Sequence, residues 1–195
     1  MSKTLILLFH PDLARSRANA VLAASALRLP DVELIDLYAL YPDGRIDAGE
    51  EAARLLSADR IVLQFPIQWY STPPLLKAWQ DAVLTRMVYI HDEAEGRLLA
   101  GKPLLVAATA GNVPEAYAPG GANRFTMAEL LRPLEATAHR CGLPWQPPFL
   151  VYRADTRDEL SLFSAGRDYA ATLEAWRKAG EPEDDPRRYL VEAWG

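Results

Sequence analysis

The chain has 195 residues, half of them apolar and 24% charged, with a formal net charge of -5. That is an ordinary globular composition for one domain, and without a basic block it leaves no footing for sequence-independent nucleic-acid binding, which needs clustered Lys and Arg. A single cysteine, Cys141, excludes an internal disulfide, and no CxxC or zinc-ligand spacing is present.

Strand and helix patterns alternate along the chain. Thr4 to Phe9 is a continuous apolar run, which reads as a central parallel strand buried on both faces. Its short polar start, MSK, lacks a cleavage site and runs straight into the strand, so it does not read as a signal peptide, and the cytoplasm is the expected location. Ser16 to Leu29 follows as a helix, with Ser16 placed to cap it. Val32 to Leu37 reads as a second strand, Pro42-Asp43-Gly44 as a turn, and Asp47 to Leu56 as a helix capped by Asp47, with Glu50 at the capping-box position. A third strand covers Arg60 to Phe65. A helix starts near Pro73-Pro74 and runs to about Thr85. Met87 to Lys102 is a longer excursion of mixed polarity.

Pro103 to Thr109 reads as the fourth strand, and Ala110 to Asn123, rich in Gly, Pro and Asn, as a loop. Thr126 caps a helix ending near Cys141-Gly142, with Glu129 three residues on. Phe149 to Arg153 is the fifth strand, and Asp158 to Ala179 a last long helix. Residues 181–195 form a polar C-terminal tail, whose Tyr189, Leu190, Val191 and Trp194 could dock on the body or on a second subunit. No apolar run reaches the ~18–20 residues that span a bilayer. Five β units separated by helices predict an α/β fold: a flavodoxin-like, doubly wound parallel sheet, order 2-1-3-4-5, with helices on both faces. Its switch point brings the loops after strands 1, 3 and 4 to one crevice.

Those three loops hold the unusual residues. After strand 1 comes His10-Pro11-Asp12-Leu13-Ala14-Arg15-Ser16-Arg17-Ala18-Asn19, neither a GxGxxG nor a Walker loop. A helix start offers free N–H groups to a phosphate, to which Ser16, Asn19, His10 and the charge of Arg15 and Arg17 would add. Ser16 as a plain cap and His10 as a plain strand end are the competing reading. The second loop, Pro66-Ile67-Gln68-Trp69-Tyr70-Ser71-Thr72, pairs backbone N–H groups with two aromatics that suit the rim of a flat ring, or that plug the sheet end, or that meet a second subunit. The third, Thr109-Ala110-Gly111-Asn112, has a glycine that admits close backbone approach and is followed by Tyr117, a phenol able to hold developing negative charge. It reads equally as a surface loop with a turn glycine. His91 and His139 read as surface or packing residues, and no Ser-His-Asp set or carboxylate pair supports a hydrolase.

Taken together, HPxxxxSxxN, FPIQWYSTPPLLKAW and the TAGN…Y loop resemble the NAD(P)H:quinone oxidoreductase family of flavodoxin-like proteins, above all its short bacterial members, the ancillary proteins of glutathione-regulated potassium efflux. LYALYPDGRID and NRFTMAELLRPLEATAHRCGLPWQPP extend the likeness, which spans residues 4 to about 153. The resemblance implies a flavin whose phosphate is held at His10 and at Ser16, Arg17, Ala18 and Asn19. It implies that Pro66, Ile67, Gln68, Trp69 and Tyr70 line the ring, with Thr109, Ala110, Gly111 and Asn112 on its other side, and that Tyr117 and Gly111 serve hydride transfer.

The short chain favours FMN, with FAD left open by larger relatives. NADH or NADPH would reduce it and a quinone would reoxidise it from the same slot, in a homodimer with the site at the subunit boundary. The alternative implied is a regulatory subunit docked on the inner face of a potassium-efflux transporter; a one-electron flavodoxin is a third. Two departures from the family stand out: its Thr-Thr-Gly-Gly is Thr109-Ala110-Gly111-Asn112 here, and the histidine that larger members carry past the tyrosine is replaced by Asn123 or Arg124.

Overall fold

A computed structural model describes residues 3–179; the expectations for the tail, 181–195, lie outside these residues. Five parallel strands, β1 (Thr4–Leu8), β2 (Val32–Asp36), β3 (Arg60–Pro66), β4 (Leu104–Thr109) and β5 (Phe149–Val151), form one sheet in the order 2-1-3-4-5. The three central strands are buried almost throughout, including the polar Arg60 and Gln64 of β3. The edge strands β2 and β5 are mostly half-buried.

Because successive side chains of a strand face opposite ways, one sheet builds two cores. Leu5, Leu7, Phe9, Ile61, Leu63, Phe65, Val106 and Ala108 pack with α3 (Ala48–Leu56), α4 (Pro74–Trp79) and α6 (Met127–Arg140). Ile6, Val62, Leu105 and Ala107 pack with α1 (Ala18–Ala26) and α7 (Glu159–Lys178). The α1–α7 approach is close: a Cβ on Gly166 would come within 2.4 Å of Ser25 Oγ and 2.9 Å of Val21 Cγ1.

Local chemistry sets the helix ends. Asp47 caps α3 by accepting from the Gly49 and Glu50 N–H groups at 3.0 Å. Thr126 and Glu129 form a reciprocal capping box at α6. Asp36 accepts from the Tyr38 and Ala39 N–H groups and so starts a short helix, α2 (Leu37–Leu40), where the sequence suggested only the end of a strand.

The helix begun at Pro74 does not stop near Thr85. It continues in wider i→i+5 turns to Ile90, breaks at His91, and resumes over Asp92–Gly96 and α5 (Arg97–Leu99). No proline or glycine interrupts residues 75–95, and an Arg86–Glu95 ion pair at 2.7 Å clasps the break. The fully buried Glu51 carboxylate ties α3 to α4, accepting from Trp79 Nε1 at 2.9 Å, Tyr41 Oη at 3.0 Å and Arg54 Nε at 3.1 Å. Burial beside that carboxylate pushes the Tyr41 phenol up to about 12.

Candidate active site

Register fixes the rim on which the site is built. Leu8 aligns with Asp36 and Gln64, Pro66 with Thr109, and Thr109 with Val151, so the loops after β1, β3, β4 and β5 leave the sheet side by side. Pairing continues past the strands: Phe9 N donates to Gln64 O at 2.8 Å, Ile67 N to Thr109 O at 2.8 Å, and Ala110 N to Val151 O at 2.8 Å. Between these loops lies an open cleft of about 360 Å³ lined by His10, Pro11, Asp12, Arg15, Ser16, Arg17, Ala18, Asn19, Pro66, Ile67, Gln68, Thr109, Gly111, Ala154 and Asp155. Its position, outside the carboxyl ends of the strands at the switch point, is where open α/β sheets take ligands.

The first loop is ordered by its own polar groups. His10 Nδ1 accepts from the Asp12 N–H at 3.1 Å, Asp12 Oδ1 from the Arg15 N–H at 3.3 Å, and Ser16 Oγ from the Asn19 N–H at 3.2 Å. Burial lowers the His10 pKa, against the opposing charges of Asp12, Asp36 and Asp155. With Nδ1 accepting, the neutral ring carries its proton on Nε2, a donor available to a ligand. The N–H groups of the first turn of α1 have no acceptor within the helix, and Arg15 and Arg17 stand beside them. Such a helix start suits an anion.

Asn19 departs from the donor role expected of its side chain. It is buried, and its Nδ2 donates to Thr109 Oγ1 at 2.9 Å while its Oδ1 and main-chain oxygen receive Gln64 Nε2 at 3.4 and 3.0 Å. The residue fastens α1 to β3 and β4 beneath the cleft. Gln64 Oε1 is buried there without a hydrogen-bond partner among the described residues.

The aromatic turn is built differently. Gln68 N donates to Ser71 O at 2.9 Å and Ser71 N to Gln68 O at 3.0 Å. The two residues between, Trp69 and Tyr70, both have positive φ, 47° and 65°. This pattern favours Asn-Gly, so two bulky aromatics there hold local strain. Trp69 is 94% exposed and Tyr70 48%. They stand at the rim and do not line the cleft itself, because the left-handed turn directs them outward. Tyr70 Oη donates to Asn123 Oδ1 at 3.4 Å.

Tyr117 lies on a 3₁₀ turn, Pro114–Tyr117, with its ring 5.7 Å from that of Tyr152. Its pKa is raised by burial and then by Tyr70, against an Asn123 hydrogen bond. The phenol therefore keeps its proton near neutral pH and can act as a donor.

The structure thus brings His10, Ser16, Arg17, Ala18, Asn19, Pro66, Ile67, Gln68, Thr109 and Gly111 into one cleft. Trp69, Tyr70, Ala110, Asn112 and Tyr117 are outside its lining. Ala110 is buried in the larger core, and Asn112 Oδ1 accepts from the Val113 N–H of its own loop at 2.8 Å. Arg15, expected to add charge at the phosphate end, lines the cleft as well, and so do Pro11 and Asp12, which were not singled out as ligand contacts. The loop after β5, with Ala154 and Asp155, was missed altogether. The short strand Phe149–Val151 gave no sign of it; the only available signal was that β5 sits next to β4 in the expected strand order.

Residues 2–176 match a family described as having a flavodoxin-like fold. The chain is 44% identical, over 172 residues, to the glutathione-regulated potassium-efflux system ancillary protein KefG of Cronobacter sakazakii, covering 88% of this chain and 92% of that one. Among solved structures, general stress protein 14 of Treponema denticola, in complex with FMN, aligns with a TM-score of 0.80 at 36% identity, over 89% of this chain and 98% of that one. An NADPH-quinone reductase of P. pentosaceus aligns with a TM-score of 0.75 at 30% identity, over 87% and 96%. Sheet order, cleft position and these likenesses agree, and the chain belongs to the flavodoxin-like NAD(P)H oxidoreductase family.

Proposed function

We propose that the chain is an FMN-dependent NAD(P)H:quinone oxidoreductase. The observation that carries this reading is the polarity of the cleft: a helix start with two guanidinium groups at one end, and backbone edges with a half-buried, protonated phenol near the other. The donor set fits FMN. His10 Nε2, the first N–H groups of α1, Arg15 and Arg17 would hold the phosphate, and Pro66 to Gln68 with Thr109 and Gly111 would face the ring. When bound, FMN supplies the redox chemistry, taking a hydride from NADH or NADPH and returning two electrons to a quinone. Trp69 and Tyr70 would wall the slot above the ring, and the Tyr117 hydroxyl would donate to an oxygen on which negative charge develops.

The Treponema relative, solved with FMN, and the P. pentosaceus reductase support the cofactor and the acceptor class. The exposed Trp69–Tyr70 turn is the face a second copy would cover in a homodimer, with the small-molecule slot between the two. We place the activity in the cytoplasm, where the NADH or NADPH substrate is at hand. No described helix is long and apolar enough to cross a membrane.

Purified protein should be yellow and should bleach when NADPH is added without air. A colourless protein that stays inert after FMN is supplied overturns the reading. The likeness to KefG favours a second role, as the ancillary subunit of a potassium-efflux transporter; co-purification with the transporter would support it, and failure to co-purify would remove it.

A further inference from the structure

The loop after β5 is sewn to both ends of the cleft. Arg153, held at φ 55°, donates its N–H to Asn112 O at 3.0 Å, and Ala154 N donates to Ala110 O at 3.0 Å. On the other side Arg17 Nη1 donates to the main-chain oxygen of Asp155 at 3.2 Å. Asp155 therefore sits between the residue that starts α1 and the glycine loop after β4. Its carboxylate packs directly on that loop, since a Cβ on Gly111 would lie 3.0 Å from Asp155 Oδ2. The room that Gly111 leaves free is filled by this side chain.

The Asp155 carboxylate lines the cleft and, among the described residues, takes part in no ion pair and accepts no hydrogen bond. Arg17 engages its carbonyl instead. An ionised carboxylate only accepts hydrogen bonds. It would repel a phosphate and has nothing to offer an apolar ring face, so the ligand groups it can take are donors. Hydroxyl groups on the segment between ring and phosphate are the donors that would lie at its place.

We propose that Asp155 is a binding residue for the polyol segment of the cofactor, accepting hydrogen bonds from its hydroxyl groups. This rests on the flavin reading above. In the same arrangement the carboxylate helps to orient the ligand, because a reversed flavin would bring its phosphate against a negative charge.

Three probes separate the parts of the ligand: FMN, riboflavin without the phosphate, and lumiflavin without the polyol. Dissociation constants are measured by fluorescence quenching on the full-length apoprotein and on D155A and D155N. D155A should weaken FMN and riboflavin by about 10- to 100-fold, the range of a hydrogen bond to a charged group, and leave lumiflavin within about 2-fold, inside the spread expected of a lost remote contact. D155N keeps one acceptor oxygen and should fall between; if D155A does not fold, D155N against lumiflavin makes the same comparison. Equal weakening of all three probes would mean that Asp155 only shapes the loop, and unchanged or tighter FMN binding would mean that it accepts no hydrogen bond from the ligand. Either result overturns the assignment while the flavin reading stands. A wild-type chain that binds none of the three removes both.

Discussion

The two ends of the cleft are made on opposite principles. At the start of α1 the side chains serve one another: His10, Asp12, Ser16 and Asn19 each take or give a hydrogen bond inside the fold, and Asn19 joins three elements beneath the floor. At the Gln68–Ser71 turn the backbone is held in a conformation its residues disfavour, and the large side chains face outward. The first end is preorganised at no cost in strain. The second keeps strained, exposed aromatics, which is the signature of a segment shaped by what it meets.

The largest effect should come from breaking the first end. Asn19→Ala removes partners from Thr109 and Gln64 inside the protein and should destabilise by about 2 kcal/mol, measured by denaturant unfolding. A loss below about 0.5 kcal/mol, the size of an ordinary surface change, would show that the network is not a fastening. Flavin affinity should fall with it, since α1 would no longer be pinned.

The opposite outcome is expected at the turn. Replacing Trp69-Tyr70 by Asn-Gly relieves the positive-φ strain and should stabilise by about 1–2 kcal/mol, raising Tm by a few degrees, roughly 2–4 °C per kcal/mol at this chain length. Quinone turnover should fall in the same variant. A Tm that stays put or drops would mean that the turn stores no strain.

The smallest effect is a titration. The His10 pKa is lowered from 6.5 in the fold, first by burial, so above 6.5 both folded and unfolded chains hold the neutral ring. As pH falls through 6.5 the unfolded chain takes up the proton first, and stability declines until the folded ring is protonated as well. Protonation of Nδ1 also ends the Asp12 N–H bond. His10→Gln should flatten this part of the stability profile between pH 7.5 and about 5, a window set by the ordinary histidine range. An unchanged profile would place the acid sensitivity elsewhere.

Much of this molecule was legible in the chain. Thr4–Leu8 and Leu104–Thr109 are apolar apart from one threonine each, and Ile61–Leu63 is an apolar run inside Arg60–Pro66; such runs read as strands buried on both faces. Asp47 and Thr126 announced their helices because capping is a local bond between neighbours. Five such units in alternation leave few topologies open, so strand order and the meeting of the three loops followed.

Tertiary structure decided the rest. Nothing local says that Asn19 faces inward to Thr109, ninety positions away in sequence, or that Asp155 lies against Gly111. Nor does the adjacency of Trp69 and Tyr70 reveal that both adopt left-handed backbone and leave the cleft lining. Periodicity and capping are properties of residues a few positions apart and are written into the chain. The direction a side chain takes on a rim depends on hydrogen bonds and close contacts between segments that meet only once the sheet is assembled.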